Sequence, residues 1–207
     1  MRKMLFFYLL FVIEFALHAE KVLLKNNNSW GCIEVDKVLS VGYGSKVSEI
    51  KFESENPKIT EIILEGTAFI KDYSFIAECK ELEVIVINDV PIENLDFLKS
   101  CKRLNVIAFD GVNLKKLPDL SNFENLEYFS MTNCNLKEFS DVMNHGKKLS
   151  FVNLCHNRIS KFSKPKLNDD ALYFVFGNPA TSSNFKNYIF DEDITKKLPE
   201  RFVRYVR

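Results

Sequence analysis

Cys155 and His156 stand side by side in "LSFVNLCHNRI" (149–159), the residue types of a thiol nucleophile and its base. Such a pair must lie within hydrogen-bond reach. Both residues directly follow Leu154 at the end of a short alternating apolar segment, and neighbours on extended backbone point to opposite faces. The spacing therefore argues against nucleophilic catalysis and no catalytic residue is assigned. Metal chemistry is equally poorly supplied. After residue 19 the histidines are His145 and His156, without zinc-like spacing, so no metal or cofactor is implied. The acidic runs at 168–170 and 191–193 read as solvated turn charges rather than a carboxylate pair. Arg201, Arg204 and Arg207 form either a basic stripe for an anionic partner or the exposed face of a cap.

The five cysteines raise a second kind of chemistry. Cys79 and Cys101 are 22 residues apart. On stacked coils they would sit roughly 5 Å apart, within disulfide reach. Phe123 takes the same place in the following coil, which favours a buried apolar position occupied by thiols. Cys134 reads as a turn residue, Cys32 falls in an N-terminal cap, and Cys155 is a candidate for exposure.

The elements that place these residues repeat. Short L-x-x-L-x-L frames begin at Ile59, Leu82, Leu104, Leu126 and Leu149, with a partial "LYFVFG" from Leu172, at intervals of 22 or 23 residues. Alternation of period two is the signature of a strand. Between the frames, apolar residues recur every third position, as in Ile92, Leu95, Leu98, Cys101, Leu104, which suits tight 3₁₀ or extended return segments. So short a unit buries its leucines only by stacking on its neighbours. The Cys155–His156 pair is one rung of this stack.

The frame "LxxLxLxxNxI", intact as Leu149, Val152, Leu154, Asn157 and Ile159, resembles the leucine-rich repeat family, in particular the bacterial internalin-like 22-residue class. The segment "PIENLDFLKSCKRLNVIAF" (91–109) is the other strong match, and the resemblance covers about 59–180. It implies an α/β leucine-rich repeat solenoid, a short right-handed coil stack. A parallel β-sheet would line its concave face and mostly irregular or 3₁₀ segments its convex side. One departure stands out: the turn position usually held by Asn reads Thr67, Val90, Val112, Cys134 and then Asn157. Valine cannot satisfy turn backbone groups as Asn does, so early turns that are less regular, or that use water, are expected.

Around the repeats, residues 1–19 combine a cationic start, the apolar run 5–13 and a small-residue exit at Ala19, the pattern of a signal peptide. An uncleaved N-terminal anchor is the alternative reading. The run is too short for a spanning helix, which takes roughly 20 residues. Export follows as the expectation, to the periplasm, the cell surface or the medium. Residues 20–58 read as an N-terminal cap with strands in "CIEV", "KVLSVGYG" and "SEIKFES", and 181–207 as a C-terminal cap. Ile194, Leu198, Phe202 and Val206 share one helical face, with any regular helix starting near Pro199. Lys+Arg and Asp+Glu are equal at 28 each, so no global field draws the chain to nucleic acid.

The strand positions that point away from the core are the candidate site. One column reads Glu61, Val84, Val106, Tyr128, Phe151, Phe174, the other Ile63, Val86, Ala108, Ser130, Asn153, Phe176. Solvated strands alternate to polar residues here. This apolar, aromatic stripe instead marks a face for a protein partner, expected at Val84, Val86, Val106, Tyr128, Phe151, Asn153, Phe174 and Phe176. The competing reading is that a cap folds over the stripe. Six strands give a stripe of only about 300 Å², against roughly 800 Å² per partner in a stable interface. A tight partner would also need the turn positions Glu65, Asn88, Asp110, Thr132 and Cys155. A structural or self-associating envelope protein, hence a homo-oligomer, is the alternative function.

Overall fold

The computed structural model describes residues 19–114, 119–137, 148–161, 171–180 and 188–206. The signal-peptide assignment, His145, Arg207 and the acidic run 168–170 lie outside or almost wholly outside them. Three strands, β1 (Glu20–Asn26), β2 (Ser29–Val35) and β4 (Val47–Phe52), form an antiparallel sheet in the order β2-β1-β4. The second sheet has eight strands: β3 (Val38–Val41), β5 (Glu61–Glu65), β6 (Val84–Asn88), β7 (Val106–Asp110), β8 (Tyr128–Thr132), β9 (Phe151–Asn153), β10 (Leu172–Phe174) and β11 (Tyr188–Ile189). Its strands pair in chain order and in parallel, so each connection is one turn of a solenoid.

The alternation in each frame explains the core. Ile62, Leu64, Ile85, Ile87, Ile107, Phe109, Phe129, Met131, Val152, Leu154, Tyr173 and Val175 point inward, none more than 1% exposed. Each such side chain contributes about 1.5–3 kcal/mol by leaving water. The return segments carry 3₁₀ turns at Ser74–Glu78 and Asp96–Leu98, where the three-residue apolar period aims Ile76 and Leu98 into the same core.

Each coil leaves its strand through a residue in the left-handed region: Gly66 (φ 60°), Asp89 (52°), Gly111 (64°), Asn133 (53°), His156 (56°) and Gly177 (73°). Glycine, and to a lesser degree Asp and Asn, adopt this conformation at low cost. The column is hydrogen-bonded from coil to coil, Asp89 N donating to Asp110 O at 2.8 Å and His156 N to Phe176 O at 2.7 Å. His156 is thus a turn residue. Next to it, Asn157 Oδ1 accepts from Cys134 N (3.0 Å) and Leu136 N (3.1 Å), while Nδ2 faces the carbonyls of Met131, Leu154 and Cys155. Asn178 repeats the arrangement one coil later, its Oδ1 accepting from Ile159 N and its Nδ2 donating to Leu154 O and Val175 O. In the coil before, Cys134 stands where the amide would be, and its thiol donates to Thr132 O.

Two expectations of register change. β3, inside the segment read as a cap, already pairs in parallel with β5, Val38 opposite Glu61, and so opens the solenoid. At the other end the frame slips by two residues: Leu172 lies opposite Phe151 and Phe174 opposite Asn153. Phe174 therefore belongs to the second outward column. Phe176 lies beyond the strand and packs edge-on against His156 at 5.4 Å. The cause is that Tyr173 and Val175 fill the two inward positions, where the frame counted from Leu172 places Val175 and Gly177. All five cysteines are free thiols; Cys79, Cys101, Cys134 and Cys155 are buried and Cys32 is exposed.

Candidate functional site

The outward columns of the parallel sheet lie in register from Glu61 and Ile63 to Phe151 and Asn153 as read from the sequence, and end, after the slip, in Leu172 and Phe174. Their surroundings differ from the expectation of an open face. Tyr128 and Phe174 are fully buried, Asn153, Val106 and Val84 nearly so, and Val86, Phe151 and Phe176 are half-buried. The cover is the C-terminal segment. After β11 the chain turns back across the strands through a 3₁₀ turn (Ile194–Lys197) and a one-turn helix (Glu200–Val203) that starts directly after Pro199. The stripe Ile194, Leu198 and Phe202 then joins Val84, Val106, Ala108, Tyr128, Cys155 and Phe174 in one apolar cluster. Phe202 stacks on Tyr128 with ring centres 5.3 Å apart and tilts against Phe151 at 5.7 Å. Contacts of this kind add about 0.5–1.5 kcal/mol each beyond the area they bury.

Charge aligns the segment across the sheet. Arg201 pairs with Glu127 at 2.5 Å, and Arg204 with Glu61 at 3.2 Å. Each guanidinium also lies over the neighbouring ring, Arg201 over Phe202 and Arg204 over Tyr205. These arginines, read from the sequence as a basic stripe or an exposed cap face, are the clamps that hold the segment on the concave face.

Beside Arg204 the cover stops at a cavity of about 190 Å³. Glu61, Glu65, Asn88, Asp110 and Thr132 line it together with Ile63, Val86 and Tyr205. Most of the turn positions expected to extend an interface thus meet here. Asp110 Oδ1 accepts from Thr132 Oγ1 at 2.6 Å and from Asn133 Nδ2 at 2.7 Å, and Glu65 accepts from Asn88 Nδ2 at 3.1 Å. The lining is acidic and held by hydrogen bonds to its neighbours.

One polar atom beneath the cover lacks a well-formed hydrogen bond. Tyr128 Oη is buried without a partner in the described residues. Burial pushes its phenol pKa up, and the nearby Asn153 and Ser130 side chains pull the other way. Cys155, expected as a candidate for exposure, is buried in the same cluster, and burial raises its thiol to about 11. That shift is opposite to the one that activates a nucleophilic cysteine. No group of three or more metal-ligating side chains occurs among the described residues. In the acidic run 191–193, Asp191 caps the turn by accepting from Asp193 N, and Asp193 binds the Thr195 hydroxyl and Lys196. No described helix is long and apolar enough to cross a membrane.

The sequence signals for the cover were present separately: an apolar outward strand face and an apolar stripe 194-198-202. Their pairing is what the structure adds. Asn178, the second turn amide, was missed because the slipped last frame hid it.

No family model matches the chain, and no curated protein matches it. Solved structures do. Internalin C2 from Listeria monocytogenes superposes with a TM-score of 0.52 at 20% identity, over 66% of this chain and 62% of that one. The functional domain of the internalin InlJ from Listeria monocytogenes superposes with a TM-score of 0.52 at 17% identity, over 72% of this chain and 32% of that one. The chain therefore spans less than two thirds of the length of either internalin. The stacked coils, the parallel concave sheet and these superpositions agree: the protein has the leucine-rich-repeat solenoid fold of the internalins.

Proposed function

We propose that this protein is an exported protein-interaction module that binds a protein partner through its concave strand face, without catalysis. The observation that carries this reading is that the face already receives a peptide segment, by ring stacking, two ion pairs and an apolar stripe. A sheet that accommodates residues 194–206 of its own chain has the shape and chemistry to accommodate a foreign segment. The site is Val84, Val86, Val106, Tyr128, Phe151, Asn153 and Phe174, with Phe176 at its rim. The signal-like pattern of residues 1–19 supports export to the periplasm, surface or medium.

The test is photo-crosslinking from the full chain, with the probe at Ile63 or Val86 beside the cavity and a control probe at Lys99 on the convex side. A discrete foreign protein crosslinked from the concave probes alone is the expected result. Foreign crosslinks from Lys99 alone would move the interface and refute the reading.

Self-association is a second reading with its own observation. β2 is an edge of the N-terminal sheet, without a second strand partner among the described residues, and it exposes Trp30, Cys32 and Ile33. Open edges of this kind are templates for pairing with another chain. A mass that rises with concentration, measured by light scattering, and falls back on an Ile33→Lys change would favour it.

A further inference from the structure

Four observations describe what the concave groove selects. First, its present occupant is cationic and aromatic: Phe202 on Tyr128, with Arg201 and Arg204 reaching Glu127 and Glu61 at either side. Second, the groove continues past Arg204 into the cavity lined by Glu61, Glu65 and Asp110, which the occupant leaves unfilled. Third, the fit is incomplete, because Tyr128 Oη is buried beneath the occupant with the Asn153 and Ser130 side chains beside it and no hydrogen bond to the occupant. An occupant that offers this hydroxyl a well-formed bond gains by comparison. Fourth, the occupant is held to the sheet by side chains rather than by backbone pairing. Its backbone hydrogen bonds are local, Phe202 N to Pro199 O, Tyr205 N to Phe202 O and Val206 N to Val203 O. Its helix is a single turn, too short to persist alone. The two arginines are 65% and 62% exposed, so solvent and salt screen their ion pairs.

We infer that the concave groove is a receptor for a short cationic–aromatic peptide segment of a protein partner, and that residues 194–206 are its built-in competitor, displaced when the partner binds. The inference rests on the concave face being the binding face. It adds the chemistry of the ligand, an aromatic side chain flanked by two guanidinium or ammonium groups, and a closed resting state. The cavity takes a further cationic group, and Tyr128 Oη takes a polar group of the ligand.

The probe is a fluorescent peptide with the sequence of residues 191–207, titrated into the full chain and followed by anisotropy. The full chain carrying Phe202→Ser and Arg204→Glu should bind it at least tenfold more tightly than the unchanged chain, whose own segment competes. A peptide carrying Arg204→Glu should lose that binding and regain it on a chain that also carries Glu61→Arg, an exchange that general destabilisation does not produce. Hydrogen exchange on the same variant should leave β6 to β8 protected while 194–206 exchange freely. Loss of protection in those strands would make the segment an inseparable part of the core and overturn the inference. So would equal, weak binding by both chains, or variant dimers that the peptide fails to dissociate, which would put a second copy in the groove. A foreign crosslink from Ile63 or Val86 together with no peptide binding would sink this inference alone. Foreign crosslinks from Lys99 alone would sink the concave reading itself.

Discussion

Replacing Asn157 by alanine should cost more than any surface change in the molecule, and the cost can be worked from its bonds. Oδ1 accepts from the buried N–H groups of Cys134 and Leu136, at 3.0 and 3.1 Å. Nδ2 lies 2.6 to 3.2 Å from the carbonyls of Met131, Leu154 and Cys155. With two hydrogens it can serve two of them fully, or all three by sharing. Alanine strands both N–H groups and removes the donors. Each stranded buried group costs about 1–3 kcal/mol, but Leu154 O keeps its bond from Asn178, which limits the loss to about 3–5 kcal/mol. At about 2–4 °C per kcal/mol for a chain of this size, the melting temperature should fall by roughly 10 °C. Urea titration of Asn157→Ala against the unchanged protein, read by circular dichroism, measures it. A loss below about 1 kcal/mol would mean that water replaces the amide, and the argument for buried, unreplaceable turn bonds would fail.

Three further predictions are independent of that one. Gly66→Ala places a Cβ 2.3 Å from the Tyr43 ring at φ 60°, whereas Gly44→Ala, at φ 79°, meets open space; calorimetry should show a loss of about 2–4 kcal/mol for the first and about 1 kcal/mol for the second. A thiol reagent at pH 8 should modify one cysteine rapidly, Cys32, and the four buried ones only on unfolding; a second fast thiol in the mass spectrum would contradict the burial of Cys155. Burial raises the Cys134 thiol to about 12 and the Cys155 thiol to about 11. Unfolded thiols ionise near 8.5, so their burial contributes full stability below about pH 8.5 and loses it as pH climbs toward the folded values. The two together should cost about 3 kcal/mol between pH 7.5 and 9.5; burial also raises the Cys79 and Cys101 thiols, which add to the fall, so Cys134→Ala/Cys155→Ala should roughly halve the slope of the urea midpoint with pH. An equally steep fall in that double variant would assign the effect to other groups.

What was legible in the sequence is what repeats. The inward positions recur because every coil must bury the same two strand residues, so Ile62/Leu64 and Ile107/Phe109 announce one another across the chain. The glycine in "DG" at 110–111 is legible as a coil exit because it has the conformational freedom that φ 64° requires. His156 at φ 56° is not legible, since nothing in a histidine signals the left-handed region. The last register was lost for a different reason. In Leu172–Phe176 five consecutive residues are apolar, so alternation cannot say which of them face inward, and pairing with β9 decides it. β3 was read as a strand, but its place in the parallel sheet depends on a partner 23 residues away, Glu61 for Val38. The site itself was legible as a column of residue types and not as a surface. Exposure is a property of what else the chain lays on that column.

That last distinction sets what a binding measurement will report. A segment tethered beside its own groove competes at an effective concentration on the order of mM, without any loss of its own translational freedom. If the closed state holds 99 molecules in 100, a partner's apparent affinity is lowered about 100-fold relative to the open groove. A partner that binds the open face at about 100 nM would then register near 10 µM on the unchanged chain and be lost from most capture experiments. On the proposed reading, the aromatic outward column supplies the affinity, and the stripe 194-198-202 sets how much of it is visible. That proposal therefore predicts weak binding to the resting protein, and the comparison with a released segment separates an occupied groove from one that binds nothing.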